Sequence, residues 1–203
     1  MAGMMAETYV LQALQNGLTS IRQNIAQLSE ILDALSPAEL QSAQNYFGDP
    51  KTQIIIAPGF PGSQTPFPFI GVTVAPEEQI AEQTPIGLAY DRIDNGDGTW
   101  TDVKGAPFHG TIKATIYTPN ADLAVWLSAI CVWALLSQFD FFLDTADMRN
   151  LQIGIGDYEP QPQWLPTFVF SRGVWISGEW DKTFTATPPT ITSAIATGTF
   201  SWS

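Results

Sequence analysis

The sequence predicts an α+β domain: a mixed, mainly antiparallel sheet packed on a long buried central helix, with an N-terminal helical arm and extended loops. Three observations predict it. Residues 120–139, NADLAVWLSAICVWALLSQF, carry an apolar run from Leu123 to Leu136 that only Ser128 interrupts. Short β-forming stretches flank this run on both sides, several of them alternating apolar and polar residues. The elements follow the order helix, strands, helix, strands, which suits one sheet packed on a helix.

The central helix has clear start signals. Pro119 closes the preceding segment, and Asn120 is placed to cap the first free N–H groups. Asp122 sets a negative charge at the helix N-terminus. The apolar run is shorter than the roughly 20 residues of a bilayer span. A helix apolar on all sides is expected to be surrounded on all sides, its excess apolar surface covered by the N-terminal helix or by a neighbouring subunit.

Residues 6–35 form a second kind of helix. Leu11, Leu14, Leu18, Ile21, Ile25, Leu28, Leu32 and Leu35 alternate spacings of three and four, a seam with heptad period. The seam fits an amphipathic helix lying on its own domain, with packing on a neighbouring subunit as the alternative. Gly17 weakens the helix slightly. Ser36-Pro37-Ala38-Glu39 starts a new short helix with a capping box, and Gly48-Asp49-Pro50 ends it.

Strands are expected at 53–57 (QIIIA), 69–74 (FIGVTV) and 111–117 (TIKATIY), the last with one buried and one wet face. Between the first two lies PGFPGSQTPFP, whose prolines resist both helix and sheet. Its Phe60 and Phe67 are too apolar for an idle linker. Residues 86–103 read as a hairpin around Asn95-Gly96-Asp97-Gly98, flanked by Asp94 and Trp100. Past the helix, Asp140, Asp144, Asp147 and Arg149 mark an exposed turn region, and 151–155 is a short strand. Residues 157–166 read as a rigid proline-rich connection with Tyr158 and Trp164. Residues 167–170 and 174–180 form one long strand or a bent pair around Ser171-Arg172-Gly173. The tail from Thr183, with Phe200 and Trp202, is Thr/Ser-rich and reads as disordered or as an extended arm on a neighbour. The expected division is a helical segment at 1–50, a core domain at 51–182 and an arm at 183–203.

Composition narrows the function. Of the 203 residues, 45% are hydrophobic and only 14% charged, against the usual quarter. Either a Thr/Ser/Gln-rich surface or burial against other chains accounts for that. Eight basic residues against twenty acidic ones give a net charge of −12, which opposes phosphate-backbone binding. The single cysteine, Cys131, lies inside the apolar run, so no internal disulfide forms. The N-terminus lacks the basic and apolar regions of a signal peptide.

No stretch carries a catalytic motif. DRIDNGDGTWTD resembles a calcium loop in composition, but position 3 from Asp91 is Ile93 and position 12 is Asp102. Glu77, Glu78 and Glu82 lack a partner base and read as a solvated acidic loop. His109 is the only histidine and stands in no motif. Gly154 and Gly156 form no phosphate loop. No cofactor or metal is expected.

Several stretches resemble the neck and tail-terminator (head–tail joining) proteins of contractile-tailed bacteriophages. They are Pro66-Phe67-Pro68-Phe69-Ile70-Gly71-Val72 with acidic residues after it, and the Gly-containing approach to 111–117. The long apolar helix and Gly156-Asp157-Tyr158-Glu159-Pro160-Gln161-Pro162 follow. Leu165-Pro166, then Phe170-Ser171-Arg172, complete the set. The resemblance covers 67–180, somewhat over half the chain, and leaves the N-terminal helix and C-terminal tail unmatched.

The resemblance implies a structural virion protein without enzymatic activity. Such proteins form a ring, usually sixfold, that caps the tail tube and meets the sheath and the neck or connector proteins. DNA would pass through the channel without specific binding. Another neck or head-completion protein is the nearest alternative. Candidate interface residues are Phe60, Phe67, Asp94, Asn95, Asp97, Trp100, Tyr158, Trp164, Arg172, Phe200 and Trp202. Interfaces favour aromatics and exclude charge from their centres, which suits a chain with seven tryptophans. Two readings of other classes compete. A hydrolase would draw on Asp157 and Glu159, and a carbohydrate-binding module on Trp100, Trp164 and Trp175.

Overall fold

The computed structural model describes residues 6–62, 64–80, 91–96, 100–161 and 169–186. The fold is α+β, in two layers. Among the described residues one sheet holds seven strands: β1 (Ile55–Pro58), β2 (Phe69–Val74), β3 (Glu78–Gln79), β4 (Asp91–Asp94), β5 (Trp100–Thr118), β6 (Arg149–Gln161) and β7 (Val169–Ala186). Their order is β1-β2-β5-β7-β6, with β3 and β4 also on β5. Only β1 and β2 run parallel, so the sheet is mixed but mostly antiparallel.

β5 and β7 form the spine. They pair without a register shift from Asp102↔Ala186 to Thr118↔Phe170. The free edge of β5 is shared along its length: β4 takes Trp100–Val103, β3 takes Phe108 and His109, and β2 takes Ile112–Tyr117. Only one end of this spine lies under helices. There Ile70, Val72, Ile112, Ala114, Ile116, Val174 and Ile176 are buried in the main core. The alternation read for 111–117 thus selects the core face. The opposite face is not simply wet, because Thr115 and Tyr117 are buried too. Phe69, Tyr117 and Val169 make a second small cluster there, with Ile55, Ala57 and Phe67 against it.

The helical layer is built on α1 (Ala6–Gln23) and α4 (Ala121–Ser137). α1 lies against β1 and β2, while α4 lies against β5, β7 and β6. The two run antiparallel: Tyr9 packs edge-on against Phe141 at 5.6 Å, and Gly17 meets Ala134 further along. Gly17 is a contact point rather than a mere weak spot. A Cβ there would come 2.3 Å from the Ala134 Cβ, so only glycine lets the helices approach this closely.

The heptad seam is intramolecular but not one helix. α1 stops at Gln23, a 3₁₀ turn covers Ile25–Gln27, and α2 (Leu28–Ile31) follows. Asn24 leaves helical geometry at φ −135° and ψ 78°, and its carbonyl accepts from the Gln27 N–H. An unbroken helix over 6–35 would extend about 45 Å, well beyond the roughly 26 Å of α4. The bend lets Leu28 and Leu32 bury in the same core as Leu14, Leu18 and Ile21.

Both predicted caps form. The Ser36 side chain accepts from the Glu39 N–H while the Glu39 carboxylate accepts from the Ser36 N–H at 2.9 Å, starting α3 (Pro37–Gly48). The Ser36 hydroxyl, which also donates to the Glu39 carboxylate, and then the Ser36 N–H hold that carboxyl below its ordinary pKa. Asn120 Oδ1 accepts from the N–H groups of Asp122 and Leu123 at 2.8 and 3.2 Å. α5 (Phe139–Asp144) occupies part of the stretch read as a turn.

Two further strand readings need correction. The proline-rich stretch from Asp157 is not a connection up to Gln161, because β6 runs through it. β6 pairs only with β7 among the described residues, and an edge strand tolerates Pro160. Val169–Ala186 is one long strand, the first of the two forms expected there, but it passes the expected start of the arm at 183.

Candidate assembly surfaces

The candidate interface residues do not form one patch. Phe60 projects from the loop after β1 and is 73% exposed. Phe67, in the same loop, turns inward against Phe69, Tyr117 and Val169. The two phenylalanines therefore differ: Phe60 is exposed, and Phe67 is half-buried on the sheet.

The hairpin reading around Asn95 holds as backbone pairing of Asp94 with Trp100. Turn chemistry shapes it. Asp94 Oδ1 accepts from the Gly96 N–H at 2.9 Å, and Asn95 and Thr101 are hydrogen-bonded through their side chains. Gly96 adopts φ +75°, which favours glycine. The Asp94 and Asn95 side chains are thus engaged in shaping the turn. Asp97 lies outside the described residues, as do Trp164, Phe200 and Trp202, and the Trp100 side chain is not described.

Tyr158 and Arg172 face each other as register partners on β6 and β7. Arg172 also pairs with Ile116 across β5, and its Nε is buried without a hydrogen-bond partner among the described residues. Trp175 occupies the space above Gly154, where a Cβ would come 2.2 Å from the ring. Of the three tryptophans considered for sugar stacking, it alone has a described side chain.

The acidic stretch is not simply solvated. Glu77 Oε1 accepts from the Trp180 indole N–H at 3.1 Å, and Oε2 pairs with Lys182. The Lys182 ammonium also stands 5.0 Å over the Phe108 ring. Arg149 and Asp181 add an ion pair at 2.5 Å. These links tie the segment before β3, and the start of β6, onto the far half of β7. Sequence reading missed Glu77 because its partners are over a hundred residues away. His109 is exposed on β5, between its register partners Glu78 and Glu179.

The apolar surface that stays open lies on α4. Leu123, Ala124, Leu127, Ile130, Cys131, Ala134 and Leu135 are buried, and Trp126 and Trp133 pack against that core. Val125, Ala129, Val132 and Leu136, spaced four, three and four, run along one remaining stripe. Val125 is 44% and Leu136 55% exposed. The helix is therefore not surrounded on all sides, contrary to expectation. The signal was present: a helix with no polar stripe has nothing suited to water. The sequence leaves the N-terminal helix and a neighbouring subunit as covers for this excess, and among the described residues the Val125–Leu136 stripe stays open.

Burial pushes the Cys131 thiol up to about 12, so it stays protonated and inert near neutral pH. Among the described residues, no group of three or more His, Cys, Asp or Glu side chains is placed to hold a metal ion. Among them, no helix is long and apolar enough to cross a membrane.

The described parts of three of the stretches that carry the phage resemblance lie at one end of the sheet. Phe69 pairs with Tyr117, Thr118 with Phe170, and Phe170 with Pro160. Phe69 on β2 and Phe170 on β7 thus flank the end of β5, with Pro160 on β6 beyond, whereas Gly105 and Gly110 of the approach to 111–117 pair with Thr183 and Gly178 further along β7. No protein-family model matches the chain, and no curated protein matches it either.

Proposed function

We propose that this chain is a structural virion protein, a tail terminator. In this reading it assembles as a homo-oligomeric ring at the top of a phage tail, caps the tube and joins it to the neck. The observation that carries the reading is the motif resemblance itself, with the described parts of three of its stretches, at Phe69, Pro160 and Phe170, lying at one end of the sheet.

Two features support association. The Val125–Leu136 stripe offers an uncharged apolar surface, and the low overall charge suits chains that bury surface against each other. The net charge of −12, repeated around a ring, would keep a DNA channel from adhering to its cargo. The ring would be sixfold, as the resemblance implies, and would contact tube, sheath and connector proteins. It would assemble in the host cytoplasm and remain in the virion. Electron microscopy of the purified chain, alone and with tail tubes, tests this. Closed rings that cap tube ends are expected. A monodisperse monomer that ignores tubes and binds a glycan array would overturn the reading.

A further inference from the structure

The geometry points to a carbohydrate site on the face of the sheet turned away from the helices: Trp175 and Lys113 form a platform for one pyranose ring that carries a carboxylate. The site stands apart from the ring reading above, and neither requires the other.

Register sets the face. Ile112, Ala114, Val174 and Ile176 point into the core. Lys113 and its partner Trp175 alternate with them and point the other way, as do Gly154 and Gly173.

The two glycines let both side chains lie down on the sheet. A Cβ on Gly154 would meet Cζ2, Cε2 and Cη2 of Trp175 at 2.2, 2.4 and 2.9 Å. Three bonded ring atoms at such similar distances mark the face of the indole, since an edge would bring one atom well ahead of the two beside it. One indole face therefore rests on Gly154 and the other is turned away from the sheet. Trp175 is half-buried, and among the described residues no ring or cation stacks on it. A Cβ on Gly173 would meet Cε of Lys113 at 2.4 Å, so the lysine stem lies across that glycine. Lys113 is exposed. Arg149 and Lys182 are held by Asp181 and Glu77, whereas Lys113 has no carboxylate partner among the described residues.

The spacing selects the ligand. Gly154 stands opposite Trp175, and Gly173 lies two residues before it. The indole and the lysine head are thus about 8 Å apart, at ~4.8 Å between strands and ~3.3 Å per residue. A pyranose lays its C–H face on the electron-rich face of an indole. From the centre of such a ring to a nitrogen bonded to its exocyclic carboxylate is about 7 Å, three bond lengths plus one charge-assisted hydrogen bond. Gln152, exposed on the same face next to Gly154, offers its amide to the ring hydroxyls. A lone ammonium suits one carboxylate. The repeated phosphates of a nucleic acid would meet Glu78 and Glu179 on this face, and a chain of net charge −12.

NMR and calorimetry on the full-length chain test this with two matched pairs of probes: sialyllactose against lactose, and trigalacturonate against its methyl ester. An acidic probe should bind in the millimolar range or tighter and shift the Trp175 indole signal, and which of the two binds better distinguishes a sialic acid from a uronic acid. Its neutral counterpart should bind about tenfold more weakly, the value of one charge-assisted hydrogen bond. Lys113→Gln should bring the acidic probe down to the neutral one's affinity and leave the neutral one unchanged. Trp175→Ala should abolish binding of all four, while Trp175→Phe, which keeps a smaller ring face, should retain part of it. The NMR fingerprint checks that each variant folds. No shift with either acidic probe at millimolar concentration, equal binding of acidic and neutral probes, or shifts that map away from Trp175 would overturn the site. Rings that bind neither acidic probe would overturn this site alone. A chain that stays monomeric, ignores tail tubes and binds an acidic probe through Trp175 and Lys113 would overturn the tail-terminator reading and support the site.

Discussion

α1 and α4 lie side by side on the same sheet, yet their outer faces differ. α1 is amphipathic: Val10, Ala13, Leu14, Gly17, Leu18 and Ile21 are buried, while Gln12, Gln15, Asn16 and Thr19 face solvent. α4 buries a similar inner face but exposes Val125 and Leu136 where α1 exposes amides and hydroxyls. One helix is finished for water and the other is not. Equal inner packing combined with unequal outer chemistry separates what holds the fold from what is left for a partner.

Inner packing should give the largest effects. Leu127 is fully buried on α4, so Leu127→Ala should cost about 2–5 kcal/mol, measured by urea unfolding. A loss under about 1 kcal/mol would mean α4 is loosely seated. The joint between the helices comes next. Gly17→Ala forces its Cβ against Ala134 and should cost about 1–3 kcal/mol, despite the higher helix propensity of alanine. Pairing it with Ala134→Gly should recover part of that loss. If the two changes add independently, the helices do not touch there.

Smaller again is the start of α3. Ser36→Ala removes the hydrogen bond to the Glu39 N–H and should cost about 1 kcal/mol in the same assay. The outer stripe should matter least to folding. Leu136→Gln should move stability by no more than about 0.5 kcal/mol, as an exposed position does. A larger loss would place Leu136 in the core and remove the contrast between the helices.

Local chemistry was legible in the sequence. Ser36 with Glu39, and Asn120 ahead of an apolar run, are caps whose partners lie within three residues. Phe69–Val74 could be read to its ends, because β-formers stand between the proline-rich loop and Ala75-Pro76. What depends on distant partners was not legible. The heptad seam predicted one helix, because nothing near Asn24 says that a 45 Å rod would overrun its sheet. Gly17 looked like a weak spot until Ala134 was beside it. Glu77 looked solvated until Trp180 and Lys182 met it. Pro160 looked like a break because edge position is a property of the sheet, not of the segment. The sequence states how apolar α4 is, but not how many of its sides its own chain covers, so the N-terminal helix and a neighbouring subunit both stood as covers for it.

The most direct measurement is sedimentation velocity on the native chain and on a Val125→Gln, Leu136→Gln double variant, with unfolding curves for both. The native chain should sediment as a closed oligomer. The variant should sediment as a folded monomer with an unfolding midpoint close to that of the native subunit. A variant that assembles as the native chain does would contradict the claim that the open face of α4 is an interface between subunits.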